Sequence, residues 1–214
     1  PTTPLYQRLF TEKRTVRPER IDAVAALLAA PTELASFREA KGVQTLVEIL
    51  ETARPELQDA LGRCLLRALV DYHALLIFAD NGGVPLLRPF LGNDAFVAIA
   101  TLVNALPVTA AIADACGLNA AVVTQTAAAP TPTGVRCCVA IALNAAWHDG
   151  LLDVVRITEA QFPDLRAPLL AAIAASHPSV ALSDAPPAPQ PPLERVLALI
   201  TAPRASPLLR VRLA

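Results

Sequence analysis

A short pattern that recurs three times constrains this chain more than any other feature. A large apolar residue, four intervening positions, a glycine and a second apolar residue occupy segments 37–43, 78–84 and 112–118. The glycines, Gly42, Gly83 and Gly117, are 41 and 34 residues apart, close to the roughly 40-residue period of helical repeats. The pattern predicts stacked helical repeats with a chain reversal at each glycine, because a Cβ would obstruct so tight a turn.

Each glycine opens a short apolar run, and a longer amphipathic segment follows that run. The longer segments cover 56–72, 94–106 and 134–148. Pro55 suits the first turn of the first segment, Asn93 or Asp94 can cap the second, and Thr133 can cap the third. Each repeat is therefore predicted to contain three helices, of which the third is the longest.

The rest of the chain extends this organisation in both directions. The predicted regions are an N-terminal arm with a helix that completes a preceding repeat (1–33), the repeats themselves (34–176), a proline-rich loop (177–192) and the start of a further repeat (193–214). Helices are expected over 20–30, 151–162 and 163–176. The last region carries the apolar residues Leu197, Leu209 and Val211, so we expect further chain or a partner to cover that end.

Composition favours an all-α fold. Hydrophobic residues make up 54% of the chain and aromatic residues only 4%, so the core consists of Ala, Leu and Val, which suit closely packed helices. The charge-free stretch 95–113 has the length of a membrane span. Asn104 and Pro107 interrupt it, and no basic cluster flanks it. We interpret it as an interior repeat covered by its neighbours.

The charge and cysteine content narrow the function classes. With 18 basic and 19 acidic residues, no overall field favours nucleic acid or an anionic membrane. One basic cluster is either a solvated arm or an electrostatic docking patch; it consists of Arg8, Lys13, Arg14, Arg17 and Arg20. The four cysteines lack CxxC spacing and lie in apolar surroundings, which favours a reducing compartment. We expect a cytoplasmic protein, with a nuclear location as the alternative.

Two short sequence segments resemble the armadillo repeat. One is Gly-Gly-Val-Pro-Leu-Leu at 82–87, and the other is Leu-Val-Asn-Ala-Leu at 102–106 with its counterpart Ala-Leu-Asn-Ala at 142–145. The resemblance implies a right-handed α-solenoid of three-helix repeats whose third helices line a concave groove. In that family an asparagine of the third helix often holds the backbone of a bound peptide. That role falls here on Asn104 and Asn144, with Arg67 at the aligned position of the first repeat.

These residues define the predicted binding surface. Trp147 follows Asn144 by three residues and would share its helical face; it is either an anchor for a partner or a core-filling side chain. The asparagines either face the groove or are buried and tie down a neighbouring loop. The predicted partner-binding residues are Arg67, Asn104, Asn144, Trp147 and His148.

No catalytic, metal or cofactor site is predicted. Cys137 and His148 are eleven residues apart on one predicted helix, a separation of roughly 16 Å along the axis, so they cannot form a catalytic dyad. Clustered metal ligands and phosphate-binding motifs are missing from the sequence. The sequence predicts a non-enzymatic scaffold or adaptor, such as a cochaperone or assembly factor, that binds a protein or peptide in its groove. The alternative is a regulatory or targeting region of a larger multidomain protein.

Overall fold

The computed structural model describes residues 16–178 and 180, and within them it contains α-helices, two short 3₁₀-helices and no strand. The predicted all-α class is confirmed. The helices of the first half are α1 (Pro18–Leu27), α2 (Pro31–Glu39), α3 (Gly42–Glu51), α4 (Gln58–Ala68), α5 (Tyr72–Asp80) and α6 (Gly83–Leu86). Those that follow are α7 (Asp94–Val103), α8 (Pro107–Ala115), α9 (Leu118–Ala128), α10 (Pro132–Asn144), α11 (Gly150–Gln161) and α12 (Pro163–Ser176). The 3₁₀-helices are Pro55–Leu57 and Arg88–Phe90.

The chain divides into two units between Ile99 and Ala100. In the first unit α1 packs on α4, and α3 packs on α6 as well as on α4 and α5. In the predicted division into three-helix repeats, α1 and α4 are third helices, and α3 and α6 are second helices. The observed contacts of α1 with α4 and of α3 with α6 join helices that are three apart in the chain, as that division requires.

The second unit has the same kind of packing. Helix α10 packs on α12, helix α9 packs on α11, and α8 lies against both α9 and α10. The two helices predicted over 151–162 and 163–176 are observed as α11 and α12. These two helices are the last in the described part of the chain, and each packs on the helix two places before it.

The chain reversals between first and second helices lie at residues with left-handed backbone conformation. These are Lys41, Gly82 and Gly117, with φ of 60°, 76° and 73°. A helix begins at the residue that follows each of them, and α8 and α9 meet at 79° across Gly117. The prediction of Gly42 and Gly83 as the turning residues was therefore one position late in the first two repeats and right in the third.

Gly42 and Gly83 have a different role, since a Cβ at either position would collide with an aromatic ring. It would lie 2.2 Å from a ring carbon of Phe37 at Gly42 and 2.4 Å from one of Phe78 at Gly83. Both phenylalanines are buried. Glycine lets the start of the second helix lie against the phenylalanine ring near the end of the first helix.

The ends of the third helices partly follow the predicted signals. Pro55 opens the turn before α4, and the Asn93 side chain caps α7 by accepting from the amide of Ala95 at 2.9 Å. Helix α10 is capped by Thr131, which accepts from the amide of Gly134 at 3.0 Å; the prediction of Thr133 was wrong. The helix also ends four residues earlier than predicted, because the backbone becomes extended at Ala145.

The charge-free stretch 95–113 is divided between α7 and α8. Among the described residues no single helix is long and apolar enough to cross a membrane, and one pair, α8 with α9, passes on length and composition only if its bend is ignored. The predictions for residues 181–214, which include most of the proline-rich loop and the further repeat, lie outside the described residues.

Candidate protein-binding site

The predicted column of Arg67, Asn104 and Asn144 depends on how the repeats are aligned. The left-handed residues Gly82 and Gly117 give a shift of 35 residues, and α5 and α8 begin at the same shift. In this register the counterpart of Asn104 is Leu69, not Arg67. Leu69 and Asn104 are both fully buried, whereas Arg67 is exposed. The predicted column was wrong by two residues, and Arg67 and Asn104 are not equivalent positions.

Asn104 belongs to a polar network in the interior of the second unit. Its side-chain nitrogen donates to the carbonyl of Ala100 at 2.9 Å and to Oδ1 of Asn119 at 2.7 Å. The Asn119 nitrogen in turn donates to Oδ1 of Asp114 at 2.7 Å. Both asparagines are fully buried. Of the two roles predicted for Asn104, the structure matches the one in which it ties neighbouring segments together.

The network ends on the segment that follows α10. Oδ2 of Asp114 accepts from the amide of Ala146 at 2.7 Å, and its Oδ1 lies 3.0 Å from Nε2 of His148. Burial alone would raise the pKa of Asp114, but the hydrogen bonds from Ala146, Asn119 and His148 stabilise the carboxylate and hold the pKa below its ordinary value. Asp114 therefore binds the segment as an anion.

This segment, residues 145–149, is hereafter the Trp147 loop. The indole Nε1 of Trp147 donates to Oδ1 of Asp149 at 2.8 Å, and its ring lies 5.3 Å from that of His177, at the end of α12. Trp147 is half-buried and is not part of a helix. Its predicted position on the helical face of Asn144 was therefore wrong. His148 also lies in the loop and not on α10, contrary to the prediction.

The end of the Trp147 loop is fixed by the start of α11. The amide of Leu151 donates to the carbonyl of His148 at 2.9 Å, and Leu151 is fully buried. A Cβ at Gly150 would lie 2.8 Å from a methyl carbon of Val123 on α9. Close packing at this glycine and the Asp114 bonds hold the loop from both sides.

Three of the five predicted binding residues follow one another closely in the chain, at the end of α10 and in the Trp147 loop. Asn144, at the end of α10, is half-buried and its side chain lies 3.4 Å from the carbonyl of Ala140; Trp147 and His148 follow in the loop. Arg67 lies on α4 in the first unit. Asn104 is fully buried and has no surface to offer a partner.

Sequence reasoning missed Asp114 and Asn119. In the register set by the left-handed turns, Asp114 and Asn119 are the counterparts of Ala79 and Val84, both of which are buried. Two polar residues that replace buried apolar residues of the preceding repeat are a recognisable signal of a buried polar network. The signal was hidden because the repeats were aligned on Gly83 and Gly117, a shift of 34 residues.

Three of the four cysteines, Cys64, Cys137 and Cys138, are buried and are not activated as nucleophiles. Burial raises the pKa of Cys64 and that of Cys137 to about 12, and it raises the pKa of Cys138 further above the ordinary thiol value. A thiol in that state is protonated at neutral pH and reacts poorly. Among the described residues no group of three or more His, Cys, Asp or Glu side chains is arranged to hold a metal ion.

Comparison with known proteins reveals similarity at the level of fold. No protein-family model matches the chain, and no curated protein matches it in sequence. Among solved structures, the crystal structure of an engineered protein, a target of the Northeast Structural Genomics Consortium, superposes with a TM-score of 0.69. The match covers 98% of this chain and 93% of the engineered chain at 15% sequence identity. At that identity the likeness shows a shared helical fold alone.

Proposed function

We propose that this chain is a non-enzymatic scaffold or adaptor, built as a right-handed solenoid of armadillo-like repeats, that binds a protein or peptide partner in its groove. The supporting observation is that, within each unit, helices two or three apart in the chain pack on one another, as expected when successive repeats stack. Repeats stacked in this way form extended surfaces, which such proteins commonly use for binding. The near balance of 18 basic and 19 acidic residues favours a protein partner over nucleic acid.

In the second unit the proposed contact surface is the Trp147 loop together with Asn144. The loop presents the only tryptophan of the chain beside His148, on a segment fixed at both ends. A rigid aromatic side chain is well suited to anchor a partner, because little conformational entropy is lost when it binds. Arg67 provides an exposed cation on a third helix of the first unit. Asn104 is left out of this surface because it is fully buried.

The proposal is tested by capture of partners from cell extract with the full chain, the Trp147→Ala variant and the Tyr72→Ala variant. Tyr72 is a matched control, since it is an aromatic residue of the first unit that is 43% exposed. Truncating an anchoring tryptophan costs about 2 kcal/mol, or about 30-fold in Kd.

We expect a captured protein to be lost with Trp147→Ala and retained with Tyr72→Ala, while thermal melting shows both variants folded. The captured protein is then purified and its Kd for each variant measured by calorimetry. Equal affinity of a purified partner for the wild type and the Trp147→Ala variant would contradict the proposed surface.

A further inference from the structure

The interior polar network holds the Trp147 loop, and no other described repeat has such a loop. Asn104, Asn119 and Asp114 lie 35 residues after Leu69, Val84 and Ala79, all of which are buried. The two asparagines have no exposed surface. The chain of hydrogen bonds runs from Asn104, just after α7, through Asn119 on α9 and Asp114 on α8 to the backbone amide of Ala146.

We propose that Asp114, Asn119 and Asn104 are positioning residues for partner binding, which set the conformation of the Trp147 loop without touching the partner. This inference rests on the proposed function, because it assumes that the loop is the contact surface. Asp114 acts directly, through Ala146 and His148. Asn119 orients the Asp114 carboxylate, and Asn104 orients Asn119.

The network is not optimised for stability. Oδ1 of Asn104 is buried and accepts no hydrogen bond from the described residues, a situation that is destabilising in an interior. Replacing both members of a buried polar pair by apolar residues of suitable shape is often neutral or stabilising. Leu69, Val84 and Ala79 show that an apolar set can fill the three corresponding positions. We therefore expect the network to be dispensable for folding, which leaves holding the loop as its role.

The test uses the fluorescence of Trp147, which is the single tryptophan of the chain. The triple variant Asn104→Leu, Asn119→Val and Asp114→Ala installs the apolar set of the preceding repeat. We expect it to melt at the same temperature as the wild type or higher. Its tryptophan emission should shift to longer wavelength and be quenched more by acrylamide, and its affinity for the purified partner should fall about tenfold or more.

Asp71→Ala is the matched control for the single change Asp114→Ala. The Asp71 side chain is 20% exposed and that of Asp114 is 21% exposed. Asp71 accepts from the amide of His73 and from Arg38, all within the first unit. Asp71→Ala should lower the melting temperature and leave the emission of Trp147 unchanged, whereas Asp114→Ala should shift that emission.

The inference is overturned if the emission and quenching of Trp147 are unchanged in both the triple variant and Asp114→Ala. It is also overturned if they change only in proportion to lost stability, as they would for a purely structural network. If the triple variant fails to fold, the emission and the acrylamide quenching of Trp147 are measured in Asp114→Asn instead. This change keeps the side-chain shape and removes the anion. If the loop moves as expected but Trp147→Ala binds the partner normally, the proposed contact surface is wrong and the positioning of the loop stands.

Discussion

The contact between Gly83 and the ring of Phe78 makes a sharp prediction about stability. An alanine Cβ at position 83 would lie 2.4, 2.5 and 2.6 Å from three carbons of that ring, where ordinary contacts begin at 3.4 Å. The ring would have to move by about 1 Å, and overpacking of this kind costs about 1–3 kcal/mol in a well-packed interior. Phe78 is fully buried, so the neighbours that surround it must also shift.

We therefore expect Gly83→Ala to lower the melting temperature, by about 2–4 °C per kcal/mol for a chain of this size. Gly92→Ala is the control, because no heavy atom lies within 4 Å of a Cβ built there and its φ is not positive. That change should leave stability unchanged or raise it slightly, since alanine restricts the unfolded chain. Urea unfolding followed by circular dichroism measures both. Equal stability of the two variants would refute the steric argument.

The third repeat suggests a rescue. The positions that correspond to Phe78 and Gly83 in the next repeat are Ala113 and Leu118, and both of these residues are fully buried. Phe78→Ala alone should cost about 3–5 kcal/mol because it leaves a cavity. Combined with Gly83→Leu, it should cost less, and the coupling should fall in the range of about 0.5–3 kcal/mol seen for contacting residues. Additive costs would show that the two positions do not share one volume.

Two further predictions follow from the ionisable groups. Because the pKa of Asp114 is held below its ordinary value of 3.8, its bonds to the Trp147 loop are present above pH 3.8 and are lost only as the pH falls through the lower folded value. The free energy of unfolding should therefore differ between the wild type and Asp114→Asn by a constant amount from about pH 5 down to pH 3.8. Loss of that difference above pH 3.8 would contradict the assignment. Cys116 is half-buried and should react with a disulfide reagent at pH 8 in the folded protein. The other three thiols are buried and should react only after unfolding in guanidinium; they are Cys64, Cys137 and Cys138. Rapid reaction of more than one thiol in the folded protein would count against the described burial.

The helical class was predictable because it follows from local signals. Prolines at helix starts, an Ala- and Leu-rich composition and the period of the Phe–Gly pattern each indicate helices without knowledge of tertiary contacts. The exact turn residue was not predictable in the same way. Lys41 adopts the left-handed conformation although it is not glycine, and Gly42 beside it is required by the ring of Phe37. A glycine in a pattern does not reveal whether backbone conformation or packing requires it.

The binding surface was only partly predictable. Asn144, Trp147 and His148 are close in sequence, but only Asn144 lies on α10, so the common helical face that was predicted for them was wrong. Asn104 was predicted to bind a partner because it is a polar residue in an apolar segment. Its burial follows from the repeat register, and the similar sequences at 102–106 and 142–145 led to a wrong register. Asp114 lacked any local signal, since its partners Ala146 and His148 are 32 and 34 residues away.

Relative to the residues 35 positions earlier, residues 104–119 show two changes that have different physical meanings. The change from Phe78 and Gly83 to Ala113 and Leu118 exchanges a large and a small residue across one contact, so the interior stays apolar and filled. The change from Leu69 and Val84 to Asn104 and Asn119 keeps the residues buried but adds polar groups that must be satisfied. The first change preserves packing by itself. The second carries a cost that packing does not offset, and its hydrogen bonds lead through Asp114 to the backbone of the Trp147 loop. A role in shaping that loop accounts for the second change where stability does not.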